Sequence, residues 1–104
     1  MTTLEKIRLF ERYLELTRDA TDKTLDIVLD KLLERKRAEL IQQRDEMAAE
    51  LATLERQYQM SSPDFFSQFQ RGELGDATDF FEWSATWQMY RNTMQYLNVL
   101  APAR

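Results

Sequence analysis

Between Asp22 and Gln59 lie 38 residues without a glycine or a proline. Leu, Glu, Arg, Lys, Ala and Gln dominate the stretch, and these are the strongest helix formers. One helix over about 22–59 follows. At 1.5 Å per residue it would span roughly 57 Å, whereas a compact chain of this length has a radius of gyration of about 13 Å. The chain is therefore expected to be elongated, or to lend part of this helix to a partner.

The rest of the sequence agrees with a helical protein. Only 2 Gly and 2 Pro occur in 104 residues, too few for the turns of an all-β fold. With 31% charged and 43% hydrophobic residues, the composition suits a folded, water-soluble domain rather than a disordered tail. A single helical domain over 1–104 is the expectation. The absence of Cys and His removes disulfide frameworks, zinc fingers, thiol nucleophiles and His-based triads. No catalytic residue, cofactor or metal is expected, and the chain reads as a non-enzyme.

Other elements flank the long helix. Thr2 and Glu5 have capping-box spacing, which starts a first helix over about 4–18. Asp19-Ala20-Thr21-Asp22 offers a break with Asp19 or Thr21 as a new cap, although one continuous helix is also compatible. Ser61-Ser62-Pro63-Asp64 is a stop-and-start signal. There Ser62 is the expected cap and Pro63 the first helical residue. A short helix over about 63–71 carries Phe65, Phe66 and Phe69, and Gly72 can end it in a left-handed conformation. Asp76 or Asp79 then caps a last helix over about 77–100, stopped by Ala101-Pro102.

That last helix has the clearest pattern. Phe80, Trp83, Trp87, Tyr90, Met94 and Leu97 are spaced 3, 4, 3, 4, 3, the seam one helix offers another. The long helix has a matching stripe of Leu40, Met47, Leu51, Leu54 and Tyr58, with Arg44 at the missing position. The fold expected is all-α: an elongated antiparallel helical hairpin of 22–59 against 77–100. It has a short N-terminal helix and a short Phe-rich helix at the turn. Phe80 should lie near Tyr58 and Leu97 near Leu40. Leu25, Val28, Leu29, Leu32 and Leu33 then lie beyond the last helix. Either the first helix covers them or a second chain does. Both are expected, in a homodimer with Ile7, Phe10, Leu14, Leu25, Leu29 and Leu32 as contacts.

Charge narrows the partners. The net charge is −4, and both sides of Met60 carry an acidic excess. No basic patch suits a phosphate backbone, so direct nucleic-acid binding is not expected. No apolar run approaches a membrane span, and the N-terminus lacks a signal-peptide pattern, which makes the cytoplasm the expected compartment. Asp76, Asp79 and Glu82 recur every three residues. They lack the EF-hand loop, and acids are common in a first helical turn; solvation and capping account for them.

The segment Tyr58-Gln59-Met60-Ser61-Ser62, Phe65-Phe66, Phe69, Gly72-Glu73-Leu74-Gly75-Asp76 and Asp79-Phe80-Phe81-Glu82-Trp83 resembles small helical proteins of bacteria and archaea, often cyanobacterial. Those look like the antitoxin side of type II toxin–antitoxin pairs, such as the partners of TumE-type toxins. The resemblance covers 58–83; the long helix agrees in character, and the first 20 residues do not take part. It implies a non-catalytic interaction module that neutralises a small toxin-like protein encoded nearby. Phe66, Phe69, Leu74, Phe81 and Trp83 are the expected partner contacts, with Gly72 and Gly75 shaping the loop. The chain lacks the basic recognition helix that many antitoxins use on DNA. A self-associating structural or adaptor protein without a toxin is the alternative.

Overall fold

A computed structural model describes residues 1–18 and 21–102. All regular structure among the described residues is helical: α1 (Thr3–Thr17), α2 (Lys23–Tyr58), α3 (Ser62–Gln70) and α4 (Thr78–Val99). The chain packs as two compact units, Met1–Glu34 and the remainder from Arg35, and α2 contributes to both. No shift in composition marks this division in the sequence.

In the first unit, α1 begins with the expected capping box. The Glu5 N–H donates to Thr2 Oγ1, and the Thr2 N–H donates to Glu5 Oε1, both at 3.1 Å. The Thr2 N–H, and after it the Thr2 hydroxyl, favour the ionised Glu5 and hold its carboxyl below the ordinary value. Arg18 ends the helix in the left-handed region (φ 56°), so α1 and α2 are separate helices. Asp22 caps α2, its Oδ1 accepting from the Leu25 N–H at 3.0 Å. Of the two caps expected from sequence, Thr21 is thereby displaced by its neighbour, and Asp19 lies outside the described residues. No residue of α1 is buried.

The second unit is the hairpin. The start of α4 meets the end of α2: the Tyr58 and Phe80 rings lie 5.2 Å apart edge-to-face. The Tyr58 hydroxyl donates to Asp79 Oδ2 at 2.7 Å. At the other end, the Arg37 guanidinium donates to the Leu100 carbonyl. Leu40 lines a shallow apolar notch there with Tyr96, Val99 and Leu100. Tyr58 with Asp79 and Arg37 with Leu100 keep one antiparallel offset, the offset that pairs Leu40 with Leu97. Two seam expectations shift. Met94 is exposed, and the small residues Ser84 and Thr93 are buried instead.

Two cap expectations also change. Ser61, not Ser62, caps α3: its Oγ accepts from the Asp64 N–H at 3.2 Å, and Pro63 stands second in the helix. Ser62 is pulled inward as the first helical residue. At α4 neither Asp76 nor Asp79 caps. Ala77 holds that position without a side-chain bond, and Asp79 is engaged by Tyr58 instead. A specific tertiary acceptor role outcompetes local capping for that carboxylate.

Candidate functional site

Three aromatic-bearing segments converge where the hairpin turns. Phe65 of α3 and Trp83 of α4 are fully buried, their rings stacked with centroids 3.8 Å apart and planes 5° from parallel. Leu51 of α2 completes the buried cluster; Leu54, Tyr58, Met60, Phe66, Phe69, Leu74, Phe80, Trp87 and Tyr90 pack around it half-buried. The indole N–H of Trp83 donates to Ser62 Oγ at 2.9 Å. The Ser62 N–H in turn donates to Glu55 Oε2 at 2.8 Å. A chain of polar contacts thus ties α2, the start of α3 and α4 together. A buried indole requires such an acceptor, and Ser62 is positioned to provide one because Pro63 fixes the turn behind it.

Backbone geometry sets the two connections. Gln59 adopts φ 55°, and the Met60 N–H reaches back to the Glu55 carbonyl at 3.2 Å. This is the bond pattern that commonly closes a helix at a glycine. Gly72 does the same for α3 (φ 74°), with the Glu73 N–H on the Gln68 carbonyl at 3.1 Å. The loop-shaping role expected of Gly72 therefore has a direct geometric basis. Gly75 has φ 81° in the same loop.

The residues expected to contact a partner divide by exposure. Phe81 is 56% exposed and stands edge-on to Phe69, centroids 5.5 Å apart and planes at 87°. Phe66, Phe69 and Leu74 are half-buried. Trp83 is 0% exposed, so it supports this surface from beneath instead of forming part of it. Its place in the helical seam had marked it for the core. Beside Phe66 runs a cleft lined by Gln70, Gln88, Arg91, Asn92 and Gln95, a grouping that no motif in the sequence marks.

The electrostatics are acidic. Asp64, Glu73, Asp76, Asp79 and Glu82 fall between Ser61 and Trp83, against Arg71 alone. Arg71 pairs with Glu73 at 3.2 Å. Among the described residues no group of three carboxylates is placed to hold a metal ion, and every buried side-chain polar atom has a hydrogen-bond partner. The hydrogen bond to Asp79 raises the Tyr58 phenol above its ordinary value, with desolvation second. The folded state thus holds the phenol proton more tightly than the unfolded chain does. The resulting stabilisation is complete below about pH 10, the unfolded value, and is lost as pH rises through the higher folded one. In Tyr58→Phe that component of the alkaline loss should be absent. Urea unfolding at several alkaline pH values would detect it, and unchanged slopes in the variant would refute it.

No protein-family model, curated protein or solved structure matches this chain. Among the described residues, no helix is long and apolar enough to cross a membrane.

Proposed function

We propose that the protein is a non-catalytic interaction module, the antitoxin-like member of a pair, which neutralises a small toxin-like protein encoded nearby in the cytoplasm. The observation that carries this is Phe81, a large ring more than half exposed, braced on Phe69 above a fully buried aromatic stack and set among acidic residues. Exposed aromatics on a rigid support are the usual anchors of protein interfaces. An acidic surround favours encounter with a basic partner. Because the Phe81 ring is already braced on Phe69, little side-chain freedom is lost when it docks.

The test is affinity purification of the tagged full-length chain from its host, with Phe66→Asp and Phe81→Asp in parallel. The unaltered chain should bring down a small basic protein in equal amount, and co-expression should suppress that protein's toxicity. Each variant should weaken the complex by about 2 kcal/mol or more, the size of an interface hot spot, while keeping its far-UV circular dichroism. Retention of the partner by both variants would remove this surface from the proposal.

The second reading is self-association without a toxin. It is favoured by α1, which buries none of its residues within the chain. A 15-residue helix is marginal in water without packing.

A further inference from the structure

We infer that a second copy of this chain completes the first unit, gripping α1 on two opposite sides in a two-fold dimer. This rests on the self-association reading and specifies its surface and stoichiometry. On α1, Leu4, Ile7, Leu9, Phe10, Tyr13 and Leu16 are all 44–84% exposed. At 3.6 residues per turn these positions, with half-buried Leu14, sweep an arc of about 240°. A surface helix packed on one neighbour needs an apolar stripe only a little over about 100° wide. Ile7 and Leu16 point in nearly opposite directions, so one neighbouring helix cannot cover both.

Within the arc the charged residues are Glu11, between the directions of Ile7 and Leu4, and Lys6. With Leu9, Phe10 and Tyr13, Lys6 lines a shallow groove, and its aliphatic stem can extend the apolar wall while its ammonium stays in water. The charged residues of α1 otherwise gather on the remaining third of the helix. Over the whole helix the charges balance, with Lys6, Arg8 and Arg12 against Glu5, Glu11 and Glu15. Along α1 a second identical chain therefore meets no net charge, and a strongly charged partner finds no complementary field there.

The area fits a dimer. The first turns of α2 add Ile27, Val28, Leu29 and Leu32, each about half exposed. Together the two segments offer on the order of 1,000 Å² of apolar surface, similar to the ~800 Å² that each partner buries in a standard interface. Monomers rarely leave so much uncovered. Two-fold symmetry lets the same patch serve both chains. The expected dimer contacts Ile7, Phe10, Leu14, Leu25, Leu29 and Leu32 all belong to this unit. Leu9, Tyr13 and Leu16 add a second side that the helical spacing of the first set does not include.

Sedimentation equilibrium of the full chain, from about 1 to 100 µM, tests the inference with Ile7→Glu, Leu16→Glu and Val99→Lys. Val99 is an exposed aliphatic of α4, outside the first unit. Trp83 and Trp87 both lie in the hairpin, so their fluorescence reports its integrity in each variant. The expected result is a dimer for the parent and Val99→Lys. Each α1 variant should raise the dissociation constant at least about 100-fold, with unchanged tryptophan emission. A parent that stays monomeric throughout overturns both this inference and the self-association reading. A parent dimer unaffected by either α1 variant overturns only the surface, and self-association stands. Dissociation by one α1 variant alone overturns the two-sided grip, and a larger assembly overturns the two-copy stoichiometry.

Discussion

Trp83→Ala should destabilise the hairpin by about 3–5 kcal/mol, the usual loss for truncating a large aromatic in a packed core. Two effects combine. The ring is fully buried between Phe65, 3.8 Å away, and Tyr58, 5.7 Å away, and its removal leaves a cavity in a cluster built, among the described residues, on three buried apolar side chains. It also strips the buried Ser62 hydroxyl of the indole N–H it accepts. An orphaned buried polar group costs about 1–3 kcal/mol. Small domains have only about 5–15 kcal/mol in total, so the variant should sit close to its unfolding midpoint. Urea titration followed by far-UV circular dichroism measures the loss. Trp83→Phe separates the effects, keeping most of the stacking while removing the N–H donor. A Trp83→Ala loss below about 1 kcal/mol would show that the ring is not the centre of this core.

Phe65→Ala should cost a similar amount, about 3–5 kcal/mol, for a different topological reason. Phe65 is the fully buried apolar residue that anchors the nine-residue α3. Its ring contacts Phe69, Phe80 and Trp83, with centroids 5.5, 5.6 and 3.8 Å away. A helix this short has no independent stability, so α3 should detach before the α2–α4 pairing fails. Amide hydrogen exchange would show this as protection lost first over Ser62–Gln70. The double variant with Trp83→Ala should cost less than the two losses added together, by about 0.5–3 kcal/mol, because the rings share one contact face. Strict additivity would mean that the stack contributes nothing beyond burial. Uniform loss of protection across all helices would deny α3 its separate unfolding.

The proposed docking surface depends on this core. Phe81 is held edge-on by Phe69, which in turn stacks on Phe65. A core variant that frees α3 should therefore weaken partner binding even though it touches no exposed residue. Phe81→Asp, by contrast, changes an exposed residue and should leave the Phe65–Trp83 stack in place.

Much of this arrangement was legible in the chain because it is governed by short-range rules. The Thr2–Glu5 capping box depends on residues three apart, and the structure forms both of its bonds. The glycine- and proline-free run makes α2 continuous, since nothing in it interrupts the backbone ladder. Periodicity also set the register of the hairpin. Two stripes of similar length that face each other leave one offset that buries both, and Tyr58 does meet Phe80.

What periodicity does not contain is depth. Phe80, Trp83, Trp87 and Tyr90 share one stripe, yet only Trp83 is enclosed, because Phe65 of a different helix closes over it. Ser84 and Thr93 are buried although they carry hydroxyls, since a small residue is covered by the bulk of its neighbours and not by its own hydropathy. The choice between Ser61 and Ser62 as cap was likewise beyond local spacing. Both precede the same helix, and the Trp83 N–H and the Glu55 carboxylate, 21 and 7 residues away, claim Ser62. Asp79 was a plausible cap until Tyr58 arrived from the other helix. The sequence by itself therefore determined the helices, most of their ends and the face each presents, because those follow from backbone geometry and neighbours within a turn. Only the tertiary structure decided which residues lie deepest and which polar atoms answer one another, because burial and long-range hydrogen bonds exist only once separate segments meet.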